Sequence, residues 1–186
     1  DLDNDGVIDP GEDGIAGVTV RLTGTDAGGN PVSLETVTDA QGRYLFDGLS
    51  PGTYTVTEPT QPTGTFNGQT VAGSHGGTAT AVTTTPSAIA GIVLGANQQS
   101  VENNFGEVRG ASLSGRVYND SNDNGQVDPG ETGIPGVEIV LTGTDDTGAS
   151  VQLTTVTADQ GRYRFDGLRP GTYTVTEPTQ PPQTVN

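Results

Sequence analysis

The run Asp1-Leu-Asp-Asn-Asp-Gly-Val-Ile-Asp-Pro-Gly-Glu12 carries oxygen-bearing side chains at its first, third, fifth, ninth and twelfth positions, with glycine at the sixth. As such a loop curls, Asp1, Asp3 and Asp5 point to one centre and Gly6 takes the sharp turn. The carbonyl of Val7 faces the same centre, Asp9 adds a further oxygen, and Glu12 closes the sphere with two. This is the ligand spacing of a twelve-residue calcium loop, in which a hard cation collects about six to eight oxygens. The pattern returns as Asp120-Ser-Asn-Asp-Asn-Gly-Gln-Val-Asp-Pro-Gly-Glu131, with Asp120, Asn122, Asn124, the carbonyl of Gln126, Asp128 and Glu131 in the same places. Two matches in one register predict calcium at both loops. The first offers five carboxylates and the second three with two neutral amides, so the first is expected to bind more tightly.

The flanks of the loops are not those of a helix-loop-helix calcium site. Arg116-Val-Tyr118 alternates like a strand, and Pro10, Gly11 and Gly14, repeated as Pro129, Gly130 and Gly133, oppose an exiting helix. The loops are part of a larger duplication. Asp1 to Asn67 aligns without a gap on Asp120 to Asn186, with 43 identities in 67 pairs. The run Pro51-Gly-Thr-Tyr-Thr-Val-Thr-Glu-Pro-Thr-Gln-Pro62 recurs unchanged at 170–181. Such identity over one unit reads as part of a tandem array.

Alternation bounded by turns places the strands. Strand A is Leu113 to Tyr118, in the second copy alone. B is Val18 to Leu22 and Val137 to Leu141, and C is Val32 to Thr38 and Val151 to Thr157. D is Arg43 to Phe46 and Arg162 to Phe165, and E is Thr53 to Glu58 and Thr172 to Glu177. The first copy adds Ala79 to Thr84, Ala88 to Leu94 and Ser100 to Phe105. Short strands at this density, with 29 Gly and 12 Pro, give an all-β chain of tandem sandwiches. The first repeat covers 1–108 and lacks its first strand; the second covers 109–186 and lacks its last strands. Strand A is expected to complete the second repeat. Folding back onto the first, or exchange with another copy of the chain, are the other routes.

Composition narrows the function. Seven basic residues against 23 acidic ones give a net charge of −16, the wrong sign for nucleic acid or for an anionic membrane surface. No apolar run approaches the roughly 20 residues of a membrane helix, so membrane insertion is not expected. There is no Cys to act as nucleophile or to bridge, and His75 is the lone histidine, in a loop. Aromatic platforms for sugar stacking are scarce, and Tyr44, Phe46 and Tyr54 alternate as core residues. No enzyme is expected. Strand parity puts the B–C and D–E turns at the pole opposite the acidic loops. Further calcium oxygens are therefore looked for at Asp39 and Asp159 beside the loops, and at Asp26, Asp47, Asp145, Asp146 and Asp166 at the far pole. Asp also favours turns for local hydrogen-bonding reasons.

Ser114-Gly-Arg-Val-Tyr-Asn-Asp120, the calcium loop, Gly-Ile-x-Gly-Val at 14–18 and 133–137, Thr38-Asp-Ala-Gln-Gly-Arg-Tyr-Leu-Phe46, Gly48-Leu-Ser-Pro-Gly-Thr-Tyr54 and Asn103-Asn-Phe-Gly-Glu107 cover most of the chain. Together they resemble the B-type repeats of serine-aspartate-repeat adhesins (SdrD B-like domains), within the collagen-adhesin B-type group. The resemblance implies a prealbumin-like Greek-key sandwich and several calcium ions per repeat. It also implies a bacterial extracellular or cell-surface setting, neighbouring repeats as partners, and a role as a stiff spacer. A glycan- or protein-binding module, or an accessory domain of a large secreted hydrolase, are the rival functions. Related sandwiches carry a Lys–Asn isopeptide bond promoted by a buried acid, and Glu58 and Glu177 sit where that acid would be. All seven cationic side chains here are Arg, so the bond has no amine donor. The intact mass is therefore expected to equal the sequence mass. Loss of ammonia or water, read by mass spectrometry, would contradict it.

Overall fold

The computed structural model describes residues 1–180. The chain divides into two compact units, Asp1–Arg109 and Gly110–Asn186. Among the described residues it is all-β, with one short 3-10 turn at Asp159–Gly161. No helix among the described residues is long and apolar enough to cross a membrane.

In the first unit, β1 (Thr19–Asp26), β2 (Pro31–Val37), β3 (Gly52–Glu58), β5 (Thr78–Ala79) and β6 (Ser87–Leu94) form one antiparallel sheet in the order β2-β1-β3-β6-β5. A second sheet pairs β4 (Thr65–Val71) with β7 (Asn104–Arg109). The period-2 alternation of strands turns Val20 and Leu22 of β1, and Tyr54 and Val56 of β3, to one face. They pack with Ile89 and Ile92 of β6, and Phe105 of the second sheet closes on them. Ile89 and Ile92 are three residues apart and would ordinarily face opposite ways. A register shift between Tyr54 and Val56, with Gly91 at φ +75°, inserts the extra residue that brings both to the core.

In the second unit, β9 (Glu138–Asp145) lies between β10 (Ser150–Val156) and β12 (Gly171–Thr176). β8 (Ala111–Arg116) pairs with β11 (Arg162–Leu168). Ile139, Leu141, Phe165 and Leu168 are buried, with Leu113, Val117 and Tyr173 packed against them.

The repeated motifs have local causes. A Cβ at Gly24 or Gly143 would collide with the ring and backbone of Tyr54 or Tyr173 on the neighbouring strand. The tyrosine hydroxyls donate back to the carbonyls of Ser50 (2.6 Å) and Arg169 (2.8 Å). Thr38 Oγ1 donates to the Ile15 carbonyl (2.7 Å) and accepts from Val18 N–H (2.9 Å); Thr157 repeats this with Ile134 and Val137. These bonds anchor the end of each acidic loop to its sheet.

Several expected strands differ. Ala79 to Thr84 shrinks to Thr78–Ala79, and the last strand of the first unit runs Asn104–Arg109 instead of Ser100 to Phe105. The strand Thr65–Val71 was not anticipated, because Thr-Phe-Asn-Gly-Gln-Thr-Val alternates poorly and carries an interior glycine. The expected strand at Arg43 to Phe46 does not form, whereas its counterpart Arg162–Leu168 does. The reason is the partner. β11 pairs with β8, in register from Arg162↔Arg116 to Phe165↔Leu113, and Val117 N–H continues the ladder to the Gly161 carbonyl (2.8 Å). Strand A thus belongs to the second unit. Residues 43–46 have no such partner among the described residues and are held by side chains, with Tyr44 Oη donating to the Asn103 carbonyl (2.6 Å). A chain with a copy of residues 109–119 placed before Asp1 is expected to turn 43–46 into a ladder strand. Protection of the Tyr44 and Phe46 amides from hydrogen exchange should rise. The first unit should gain roughly 2–3 kcal/mol from the newly buried Leu and Val equivalents; unchanged exchange would contradict the pairing argument.

Candidate metal centre

Both acidic loops are built on the same backbone. Asn4, Gly6 and Gly11 have φ of 60°, 82° and 101°; Asp123, Gly125 and Gly130, at the same loop positions, have 58°, 74° and 98°. In the first loop, Asp1 accepts from the N–H groups of Asp5 (3.2 Å) and Gly6 (3.0 Å), and Asp5 accepts from Val7 N–H (2.8 Å). Glu12 spans the loop, with Oε1 accepting from Leu2 N–H (2.5 Å) and Oε2 from Asp9 N–H (3.0 Å). In the second, Asp120 accepts from Asn124 and Gly125, Asn124 from Gln126, and Glu131 from Ser121 (2.8 Å) and Asp128 (3.0 Å). Every first-loop backbone bond thus has its counterpart.

The electrostatics follow from these bonds. Hydrogen bonds from the Asp9 and Leu2 amides hold the Glu12 carboxyl below its ordinary range, and the Gly125 amide does most for Asp120. Asp1, Asp3 and Asp5 each bring an oxygen within 4.8 Å of the others, a like-charge grouping that favours a cation between them. In the second loop, Asn122 and Asn124 instead donate to Asp128 Oδ2, both at 2.8 Å. The Tyr118 phenol beside it is pushed up by burial and then by the charges of Asp120, Glu131 and Asp128. The donor set is all oxygen, which suits calcium and no thiophilic metal. Val7 and Gln126 stand at the turn where a carbonyl would be contributed. The first loop also rests on the small sheet: Asn4 Oδ1 accepts from Gln69 N–H (2.9 Å), and a side chain at Gly6 would strike Val71.

The other carboxylates are engaged locally. Asp39 accepts from the Gln41 and Arg43 amides and pairs with the Arg43 side chain. Asp26 is wrapped by the Gly28 and Asn30 amides, and Asp145 by Thr147 and Ala149. Asp146 pairs with Arg169 (2.6 Å) and Asp166 with Arg164 (2.5 Å). Asp47 is exposed, and Asp159 opens the 3-10 turn. The far-pole turns do meet, since Ala27 N–H donates to the Pro51 carbonyl (2.7 Å) and Asp146 N–H to that of Pro170 (2.8 Å).

One pair escaped the sequence reading. Glu58, at the end of β3, and Glu107, on β7, are 4% and 7% exposed and face each other between the two sheets. Burial and then the Glu107 carboxyl push Glu58 up to about 8. Burial also raises Glu107, against the pull of hydrogen bonds from Thr65, Gln61 and Glu58 and of the Asp1 ammonium. The signal was parity: Tyr54, Val56 and Glu58 share the inward face of β3.

Acidic loops on an all-β repeat define a structural module, and comparison with known proteins places it. The model of the SdrD B-like domain matches residues 1–107 and 111–186, and the chain belongs to that family. Serine-aspartate repeat-containing protein F of Staphylococcus epidermidis is 36% identical over 179 residues, covering 94% of this chain and 10% of that protein. Serine-aspartate repeat-containing protein C of Staphylococcus aureus (strain N315) is 36% identical over 175 residues, covering 94% of this chain and 17% of that protein. The chain thus spans a small fraction of these relatives. No solved structure matches it.

The shifted carboxyls set opposite pH slopes. Glu58 prefers its proton in the folded state, so its contribution is fully present below about 4.5 and is lost as pH rises to about 8. Glu12 and Asp120 prefer the charged form when folded, so theirs is present above the ordinary carboxylate range and lost in acid. In chelator, protection of the Ile89 amide is expected to fall between pH 5 and 8 (~4.5 to 8 being the window), and Glu58→Gln should flatten that fall. A fall of equal size in the variant would remove Glu58 as its cause.

Proposed function

We propose that the chain is a calcium-stabilised spacer repeat in the stalk of a cell-surface adhesin, its sheets completing Greek-key, prealbumin-like sandwiches in a longer array. The observation that carries this reading is the matching backbone of the two acidic loops, with positive φ at their fourth, sixth and eleventh positions, around oxygen-bearing side chains at the calcium-loop spacing. Asp1, Asp3, Asp5, Asp9, Glu12 and the Val7 carbonyl hold one ion; Asp120, Asn122, Asn124, Asp128, Glu131 and the Gln126 carbonyl hold the other.

Calcium relieves the repulsion among clustered carboxylates and ties each loop's first turn to its closing glutamate, which is already bonded to amides at both ends. The loop then stiffens the chain between strand A and strand B. A chain without lysine cannot draw that stiffness from a Lys–Asn bond. Neighbouring repeats are the partners of a spacer.

Calorimetric titration with calcium is expected to lose one ion in Glu12→Gln and one in Glu131→Gln. An unchanged count in either variant would overturn that loop. Calcium at a hundred times its dissociation constant should stabilise each bound unit by about 2.7 kcal/mol. Small-angle scattering of a longer array should show a looser particle in chelator; one extended profile in both conditions would remove calcium as the clamp.

A further inference from the structure

We infer that the second unit carries an arginine-lined cleft that takes an extended acidic peptide, one with carboxylates at alternate residues. The cleft has a volume of about 680 Å³ and is lined by residues of β8, β10 and β11. Arg116, Arg162 and Arg164 line it, three of the chain's seven arginines set against 23 acidic residues, and no described carboxylate does.

The two copies differ in a way that makes this cleft cationic. In the first unit, Arg43 is neutralised by Asp39, 2.8 Å away, and Leu45 follows it with its side chain exposed. At the equivalent places the second unit has Arg162, Ala158 and Arg164. The acid that would pair with Arg162 is thus missing, and a second arginine stands two residues on. Among the described residues no hydrogen bond or ion pair takes up the Arg162 guanidinium. Arg116 lies opposite Arg162 in the ladder, and its Nε donates to the Gln160 carbonyl (2.7 Å), which leaves its terminal nitrogens for a ligand. Arg164 pairs with Asp166 (2.5 Å), but the two side chains are 60% and 63% exposed, so water screens the pair and a ligand can displace it.

The spacing selects the ligand. Arg162 and Arg164 are two residues apart on one face of β11, about 6.6 Å, and Arg116 stands across the ladder about 5 Å from Arg162. An extended peptide repeats its own side chains at the same two-residue interval. Carboxylates at alternate positions therefore meet the arginines in turn, each as a forked, charge-assisted pair. The residues between them need only suit Thr155, Val156 and Tyr163, which also line the cleft. The backbone has room as well. β11 pairs with β8 along one edge alone. Gly161 turns its carbonyl to the Val117 N–H, on the β8 side, and Arg162 turns its carbonyl the other way, to the Ala158 N–H. By the same alternation Arg164 directs its N–H and C=O to that outer edge, where no described strand pairs with them and a peptide backbone can. This assignment does not rest on calcium in the acidic loops.

The test titrates the whole chain into a fluorescein-labelled peptide alternating Asp and Thr, at fixed calcium, and follows anisotropy. The comparison ligands are a peptide of the same composition with its Asp residues in one block, and inorganic polyphosphate. Ala158→Asp and Arg164→Leu each install the residue that the first unit carries at that place, so both are expected to fold, which thermal melting checks. Each should weaken binding of the alternating peptide about tenfold, the worth of one charge-assisted contact. The block peptide and polyphosphate should both bind the parent chain more weakly than the alternating peptide. Unchanged affinity in both variants would overturn the site. Equal affinity for the block peptide would overturn the alternate-residue match, and tighter binding of polyphosphate would overturn a peptide as the occupant.

Discussion

The contact between Gly24 and the ring of Tyr54 fixes how β1 and β3 align, and the rest of the first unit is arranged around it. Any side chain at position 24 would strike that ring, so the tyrosine can lie flat only over glycine. With Gly24↔Tyr54 set, Leu22 falls opposite Val56, and the inward face of β3 continues to Glu58. The same contact between Gly143 and Tyr173 sets β9 against β12 in the second unit. A slip of one residue would turn each apolar set outward, so the register is the fold's tightest constraint.

From that register follow two different ways of handling negative charge in a chain with a net charge of −16. On the surface, carboxylates are absorbed by amides. Asp1, Asp5 and Glu12, and Asp120 and Glu131 in the second loop, each take backbone N–H groups, and the turn residues Asp26, Asp39 and Asp145 do the same at the ends of strands. Ion pairs such as Arg21–Glu35 are exposed and add little. Between the sheets the amides are already used in ladders, and the Glu58–Glu107 pair is met by Gln61, Thr65 and the hydrogen bond between the two carboxyls. The loops and the buried pair are thus different solutions to one electrostatic problem, the first met by backbone amides and the second enclosed between the sheets.

The two units also show what a strand owes to its neighbour. Residues 43–46 and 162–165 share Arg-Tyr-x-Phe, yet only the second segment is a strand. The difference lies in β8, whose backbone satisfies the second copy. Strand propensity is a weak quantity beside the availability of a ladder partner.

The sequence by itself determined the all-β class, the duplication, most strand positions and the two acidic loops, because each is written in local spacing: period two for the strands, and oxygens at 1, 3, 5, 9 and 12 for the loops. Glycine at the sixth loop position and in Leu-Thr-Gly-Thr-Asp was likewise legible, since the turn and the close approach tolerate no side chain. Long-range pairing was not. That Thr65–Val71 forms a strand, that Arg43 to Phe46 does not, and that Glu58 meets Glu107 all depend on segments tens of residues apart. A carboxylate's neighbours across a sandwich are set by which sheets close on each other, and only the tertiary structure decides that.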